Sequence, residues 1–162
     1  MKDRATVRWG RRGDAKAFLR LLNSLAEFEG LEPPTPAARK RILEDIFQKR
    51  RIHLVLAQRG SEPVGYALLF YAFSSFLARP TLFLEDIFVL EQSRREGVGR
   101  RLFLWCVDEA NRRGCGRMEW SVLNWNGSAM RFYEGLGARR LDEWSVYRLD
   151  SAGLTALRDG RR

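Results

Sequence analysis

Arg94-Arg95-Glu96-Gly97-Val98-Gly99 stands between an apolar, strand-like run from Leu82 to Leu90 and an amphipathic helical pattern that begins near Val98. Strand, glycine turn and helix in that order make an anion cradle. The first turn of a helix carries unpaired backbone N–H groups and the positive end of the helix dipole, and glycine admits a phosphate close to the backbone with no Cβ in the way. Spacing narrows the type of cradle. A nucleoside triphosphate loop ends in Gly-Lys-Ser/Thr, whereas Gly99 is followed by Arg100-Arg101. A dinucleotide fingerprint starting at Gly97 requires a third glycine where Leu102 stands. What is left is Arg-x-x-Gly-x-Gly, a pattern that alone is equally that of a plain turn ahead of a helix.

The six residues resemble the coenzyme A loop of the GNAT N-acetyltransferase family, Gln/Arg-x-x-Gly-x-Gly/Ala. Downstream, Trp125-Asn126-Gly127-Ser128-Ala129-Met130-Arg131-Phe132-Tyr133-Glu134-Gly135-Leu136-Gly137-Ala138 resembles the second signature of that family, in which an Asn opens a short helix that ends in Phe-Tyr and Gly-Ala. Upstream, Leu84-Glu85-Asp86-Ile87-Phe88-Val89 and Leu25-Ala26-Glu27-Phe28-Glu29 are similar to segments of its diamine (spermidine/spermine) and thialysine branch. Val122-Leu123-Asn124-Trp125-Asn126 sits closer to the thialysine relatives. The resemblance covers residues 5 to 150. It implies an α/β fold, a twisted mixed β-sheet with helices on both faces, and acetyl-CoA as co-substrate with no metal. It further implies that Phe88, Val89, Arg94, Arg95, Glu96, Gly97, Val98, Gly99, Arg100, Asn126 and Tyr133 bind the coenzyme, and that the protein is a homodimer.

Composition is consistent with one domain. A chain of 162 residues, 45% of them hydrophobic, buries a real core and leaves no room for a second domain of ordinary size. No apolar run reaches 18 residues, and Met1-Lys2-Asp3-Arg4-Ala5-Thr6 lacks the apolar stretch of a signal peptide, so a cytoplasmic protein with no membrane partner is expected. Cys106 and Cys115 do not have disulfide-framework or zinc spacing, and Cys106 lies on an apolar helix face, as a buried structural thiol would. His53 is the single histidine and has no second His for a metal site or triad. With 29 Lys and Arg against 20 Asp and Glu the formal charge is +9, which favours polyanionic partners. Coenzyme A is such a partner. No RNA-recognition, zinc-finger or helix-turn-helix signature points to nucleic acid instead.

Periodicity and punctuation predict the elements. Ala5 to Trp9 reads as a strand, and Asp14 as the cap of a helix running to Glu29 with Phe18, Leu19, Leu22, Leu25 and Ala26 on one face. Thr35-Pro36 caps a second helix with a stripe of Ile42, Leu43, Ile46 and Phe47. Ile52 to Gln58 and Val64 to Phe73 form an antiparallel pair, and Thr81 to Leu90 the next strand. A helix from Val98 to Arg113 turns Leu102, Trp105, Cys106 and Ala110 inward. Arg117 to Leu123 is the fifth strand, Asn126 to Gly135 a short helix, and a final hairpin around Asp142-Glu143 ends near Leu149.

Acetyl transfer from a thioester to an amine poses two proton problems. The amine, with a reference pKa near 10.4, is almost wholly protonated at neutral pH, and the departing thiolate, near 8.5, leaves more easily if protonated. By the resemblance, Tyr133 donates a proton to the coenzyme A sulfur; the bland alternative is an aromatic packed beside Phe132. Glu85 and Asp86 interrupt an otherwise buried strand, where carboxylates are placed only when paired or functional. On a regular strand they point to opposite faces, so at most one enters a given pocket unless a β-bulge re-aims the other, and the resemblance implies such a bulge in this strand. One of the pair, with Glu85 the candidate, then orders a water as the amine's base while Glu85 or Asp86 holds a distal positive group; a salt bridge to a neighbouring Arg is the alternative. Glu29 and Glu32, at and after the end of the first helix, would draw a cation locally despite the basic whole, since charges beyond roughly 8 to 10 Å are screened. Glu29 aligns with the amine-binding glutamate of the branch. A primary amine on a small cationic molecule, polyamine or thialysine-like, is therefore the expected substrate. A protein N-terminus, a lysine or an aminoglycoside is the near alternative, and a non-catalytic coenzyme-A-sensing or nucleic-acid-binding module the distant one.

Overall fold

The computed structural model describes residues 4–160. A five-stranded sheet runs in the order β1 (Thr6–Trp9), β2 (His53–Arg59), β3 (Glu62–Ser74), β4 (Arg79–Val89), β5 (Arg117–Glu119). The first three junctions are antiparallel and the last, β4 with β5, is parallel. A parallel pair needs a crossover, and α3 (Val98–Arg112) supplies it. The expected strand, glycine loop and helix are thus one right-sized βαβ unit. Between β1 and β2 lie α1 (Ala15–Glu29) and α2 (Pro36–Phe47).

Both faces of the sheet are covered, as the unbroken apolar run Leu54-Val55-Leu56-Ala57 demands. Leu54, Leu56, Tyr66, Leu68 and Phe88 point to one face and pack with Phe18 and Leu21 of α1 and Ile46 of α2. On α3, Val98, Leu102, Cys106 and Ala110 are buried. Burial pushes the Cys106 thiol up to about 12, so it is an inert core residue. Trp105 is only half-buried and meets Trp9 edge-on at 4.4 Å, at the rim rather than in the core.

Local chemistry sets the helix ends. Thr35 Oγ1 accepts from the Ala38 N–H at 3.2 Å, with Pro36 at the first helical position. Gly30 closes α1 in the left-handed region, φ 68°. Asp14 is at the start of α1 but makes no cap bond; its carboxylate accepts two N–H groups of Arg8 at 2.7 and 2.8 Å and the Arg11 N–H at 2.7 Å. The Arg8 bond holds Asp14 below the usual carboxylate range. A guanidinium on the neighbouring strand outcompetes the cap because a charge-assisted bidentate pair is stronger than a bond to one amide.

Two expectations about the strands are corrected. β5 stops at Glu119 rather than Leu123, its ladder with β4 ending at the pair Phe83 and Glu119, two residues before β4 bends at Glu85. The final hairpin is absent from the described residues. The chain divides into two compact units between Ser121 and Val122, and the second contains α4 (Gly127–Glu134) and α5 (Ser151–Arg158) but no strand among its described residues. Trp144, Val146, Tyr147 and Leu149, in the second half of the expected hairpin, are exposed. A strand requires a neighbour for its N–H and C=O groups. Here the segment makes local ion pairs, Arg139 with Glu143 and Arg140 with Asp142, and Asp150 starts α5 by accepting from the Gly153 N–H at 2.8 Å.

Candidate active site

The loop after β4 has the form the six-residue pattern requires. A short 3-10 turn, Glu91–Ser93, leads into Arg94, and Gly97 precedes α3 with φ 77°, a conformation that suits glycine. The Gly97 carbonyl accepts the first helical bond, from the Arg101 N–H, and no side chain caps this end. Val98, Gly99 and Arg100 therefore have N–H groups with no acceptor inside the helix. A Cβ at Gly97 would enter open space, while one at Gly99 would rest on the Val89 side chain at 3.8 Å. The two glycines thus differ: the first needs its backbone angle, and the second only faces the strand.

The loop's charged residues divide the same way. Arg94 donates from Nε to the Val89 carbonyl at 2.9 Å, and its guanidinium lies over the rings of Phe28 and Phe88, 4.7 and 5.6 Å from their centroids. It is a built cation at the junction of β4 and the loop. Arg95 and Arg100 are exposed, available to an anion at the helix start. Glu96 is paired with Arg59 of β2, so its side chain anchors the loop to the sheet and only its backbone is left for a ligand. Phe88 is buried and Val89 half-buried. With β5 paired only as far as Phe83, the outer edge of β4 from Leu84 to Val89 has no strand partner among the described residues. Such an edge pairs readily with an extended, amide-bearing chain.

Upstream of the loop, within β4, the expected bulge is present. Leu68 pairs with Asp86 and Leu69 with Leu84, which leaves Glu85 as the extra residue. Glu85 is exposed and Asp86 half-buried. Asp86 Oδ2 accepts from the Tyr66 hydroxyl at 3.1 Å, in place of the Arg salt bridge that was the alternative. Burial, followed by the nearby charges of Glu85 and Glu29, pushes Asp86 up to about 6, although the Tyr66 bond acts in the other direction. Burial, then Asp86 and Glu29, raise Tyr66 far above the ordinary phenol range. Glu29, half-buried at the last turn of α1, is thus close enough to act on both, whereas Glu32 is exposed beyond it. Three carboxylates from two elements share one neighbourhood. The motif had marked all three, but not Tyr66. From sequence, Tyr66 is one apolar-face residue in a strand, and only the register between β3 and β4 reveals that its hydroxyl reaches Asp86.

In the second unit, Asn126 caps α4, its Oδ1 accepting from the Ala129 N–H at 3.1 Å. Tyr133 is buried on α4, with its ring at 5.1 Å from that of Phe132 in an edge-on arrangement. The carbonyl of Tyr133 accepts from the Leu136 and Ala138 N–H groups, which fixes the Gly-Ala end of the signature. His53, the lone histidine, is half-buried between Trp9 and Tyr71, and burial holds its pKa below the ordinary value.

The family model described as "Acetyltransferase (GNAT) family" matches residues 17–138. A thialysine N-epsilon-acetyltransferase of Caenorhabditis elegans is 30% identical over 148 residues, 90% of this chain and 91% of that protein. An L-ornithine N5-acetyltransferase of Arabidopsis thaliana is 41% identical over 93 residues, 57% of this chain and 41% of that protein. In fold, the chain matches a Trypanosoma brucei acetyltransferase with a TM-score of 0.71 at 23% identity, over 91% of this chain and 99% of the other. The glycine loop at the head of α3, the bulged β4 and a family match across three quarters of the sequence lead to one conclusion: the chain belongs to the GNAT acetyltransferase family, and it is an acetyl-CoA-dependent N-acetyltransferase.

Proposed function

We propose that this enzyme moves the acetyl group of acetyl-CoA directly to a primary amine of a small substrate that carries a second cationic group, a diamine or a diamino acid. The observation that carries the reading is the acidic neighbourhood of Glu29, Glu85 and Asp86, set on the strand that feeds the basic glycine loop. Anion and cation sites then follow one another along β4. The relatives named for thialysine and ornithine support it, since each of those compounds carries two amines. Because the family match crosses Ser121 and Val122, we read both compact units as parts of one catalytic domain.

In this reading the N–H groups at the head of α3 and the guanidinium groups of Arg94, Arg95 and Arg100 hold the pyrophosphate. The free edge of β4 at Phe88 and Val89 bonds the amide-bearing arm, and Asn126 and Tyr133 complete the coenzyme's contacts. Bound there, acetyl-CoA supplies an activated thioester, and no covalent enzyme intermediate is required. Glu85 and Asp86 divide the work by exposure. Glu85, open to solvent on the bulge, orders a water that carries the amine's proton to bulk. Asp86, half-buried, is ionised at neutral pH and holds the distal cation with Glu29. Tyr133 gives its proton to the leaving sulfur.

Release of free thiol from acetyl-CoA, measured over a panel of amines, tests this. Diamines and diamino acids should outcompete matched monoamines. Glu29→Gln should reduce that preference by between tenfold and about a hundredfold, the size of a charge-assisted contact, and salt should blunt it further. Far faster acetylation of a peptide N-terminus or an aminoglycoside would reject the small-amine reading and leave the acetyltransferase standing.

The cradle is tested by its two glycines. Gly97→Val forces a Cβ into the left-handed region and into the open space before the helix, and should weaken acetyl-CoA binding tenfold or more. Gly99→Ala should bind nearly as well as wild type, because its methyl rests on Val89. Calorimetry that finds equal affinity in a folded Gly97→Val variant would refute the loop assignment.

A further inference from the structure

The acidic neighbourhood contains one group that the acetyl-transfer chemistry has not used. Tyr66 is fully buried, held edge-on by Phe18 at 5.3 Å and tilted against Phe88 at 6.4 Å. It is a core residue by every packing measure, yet its hydroxyl donates to a carboxylate. A buried phenol in such a cage has little freedom to swing, so its oxygen is a fixed point. Tyr66 is opposite Phe88 and Asp86 is opposite Leu68, so the bond runs diagonally between β3 and β4, next to the register shift that makes room for Glu85.

We propose that Tyr66 is a positioning residue for the amine site: its caged hydroxyl holds Oδ2 of Asp86 and leaves Oδ1 as the oxygen that meets the substrate's second cation. The assignment rests on the small-amine reading above. Without the tether, the Asp86 side chain is free to rotate about its own bonds and loses alignment with Glu29. The tether also acts on the charge. Asp86 faces Glu85 on its own strand, Glu29 from α1 and the Tyr66 phenol from β3; the residues α2 turns toward this core, Ile42, Leu43, Ile46 and Phe47, are apolar, and Arg94 from the loop lies over Phe28 and Phe88. Of the groups acting on Asp86, burial and both glutamates favour the neutral form, and the Tyr66 hydrogen bond favours the ionised one. Its removal raises the pH at which Asp86 becomes a carboxylate, already about 6.

Two measurements test this. In Tyr66→Phe, KM for a diamine should rise tenfold or more while acetyl-CoA affinity by calorimetry is unchanged. The acidic limb of kcat/KM should move to higher pH by half a unit or more, and a matched monoamine should show a smaller rise in KM. A folded variant with wild-type KM and an unmoved acidic limb overturns the proposal, as does a uniform loss of kcat with the limb in place, the mark of a merely structural tyrosine. If Tyr66→Phe fails to fold, 3-fluorotyrosine in the otherwise native protein serves instead, with the Tyr66 signal assigned by elimination against Tyr71→Phe, Tyr133→Phe and Tyr147→Phe. Its fluorine shift should follow the Asp86 titration near pH 6 and lose that inflection when a diamine is added. A flat profile in an enzyme that acetylates diamines overturns the tether alone; an inflection near pH 6 in a protein that acetylates no amine upholds the tether to Asp86 and rejects the substrate reading.

Discussion

Asp86→Asn is expected to make the enzyme more stable and much worse at its task. A carboxyl group whose pKa rises from 3.8 to about 6 on folding binds a proton more tightly in the native state than in the unfolded chain. Between those two values the native state carries more protons, so stability falls as pH rises through the window, and above pH 6 the full cost of burying the charge is present. A shift of about two units corresponds to roughly 2 to 3 kcal/mol. Asn has the same shape, keeps an oxygen for the Tyr66 hydroxyl and carries no charge to bury. At pH 7.5 the variant should therefore melt about 5 to 10 °C above wild type, given roughly 2 to 4 °C per kcal/mol in a chain of this size. At pH 4 the two should melt together. In the same variant kcat/KM for diamines should drop by about a hundredfold, most of it in KM, because the cation loses its nearest partner in a half-buried place. Scanning calorimetry at the two pH values and steady-state kinetics check the two halves. Equal melting at neutral pH would mean that the Asp86 charge is matched by partners other than Tyr66.

Such an opposition between stability and activity, once measured, would mark the carboxylates as functional more firmly than their place in a motif does. The site also shows how far sequence reading reaches. The run from Leu82 to Arg113 was legible because everything that shapes it is local: period-two apolar residues, a glycine at a positive φ, period-three-to-four apolar residues on the helix. The Thr35-Pro36 cap belongs to the same class. The bulge, by contrast, was expected from the family resemblance and not from the residues themselves. What escaped depends on residues far apart in sequence. Glu96 is claimed by Arg59 of β2, and the Tyr66 hydroxyl meets Asp86 across a register that no single segment encodes; Asp14, by contrast, gave up its cap to Arg8 only six residues away. The expected hairpin failed for a related reason. Apolar residues at Trp144, Val146 and Leu149 state what a strand would look like but not whether a neighbouring strand is there to receive it. The candidate site divides similarly: its carboxylates and glycines come from motifs, and the residue that orients them comes from packing.

Tyr133→Phe is the sharpest test of the chemistry itself, because it removes one oxygen and leaves the ring. Tyr133 is buried on α4 with its ring against Phe132, and Phe keeps that ring contact, so the folded variant can be compared directly in kinetics. If the hydroxyl protonates the departing sulfur, kcat should fall by roughly 10²-fold, a typical general-acid contribution, while acetyl-CoA affinity is nearly unchanged. A thioester whose thiol is more acidic needs less help to leave. Such a substrate should recover part of the lost rate in Tyr133→Phe and gain little in wild type, a pattern that a packing defect does not produce. Wild-type turnover in the variant would return Tyr133 to the core as an aromatic packed beside Phe132, and the leaving sulfur would then take its proton from water.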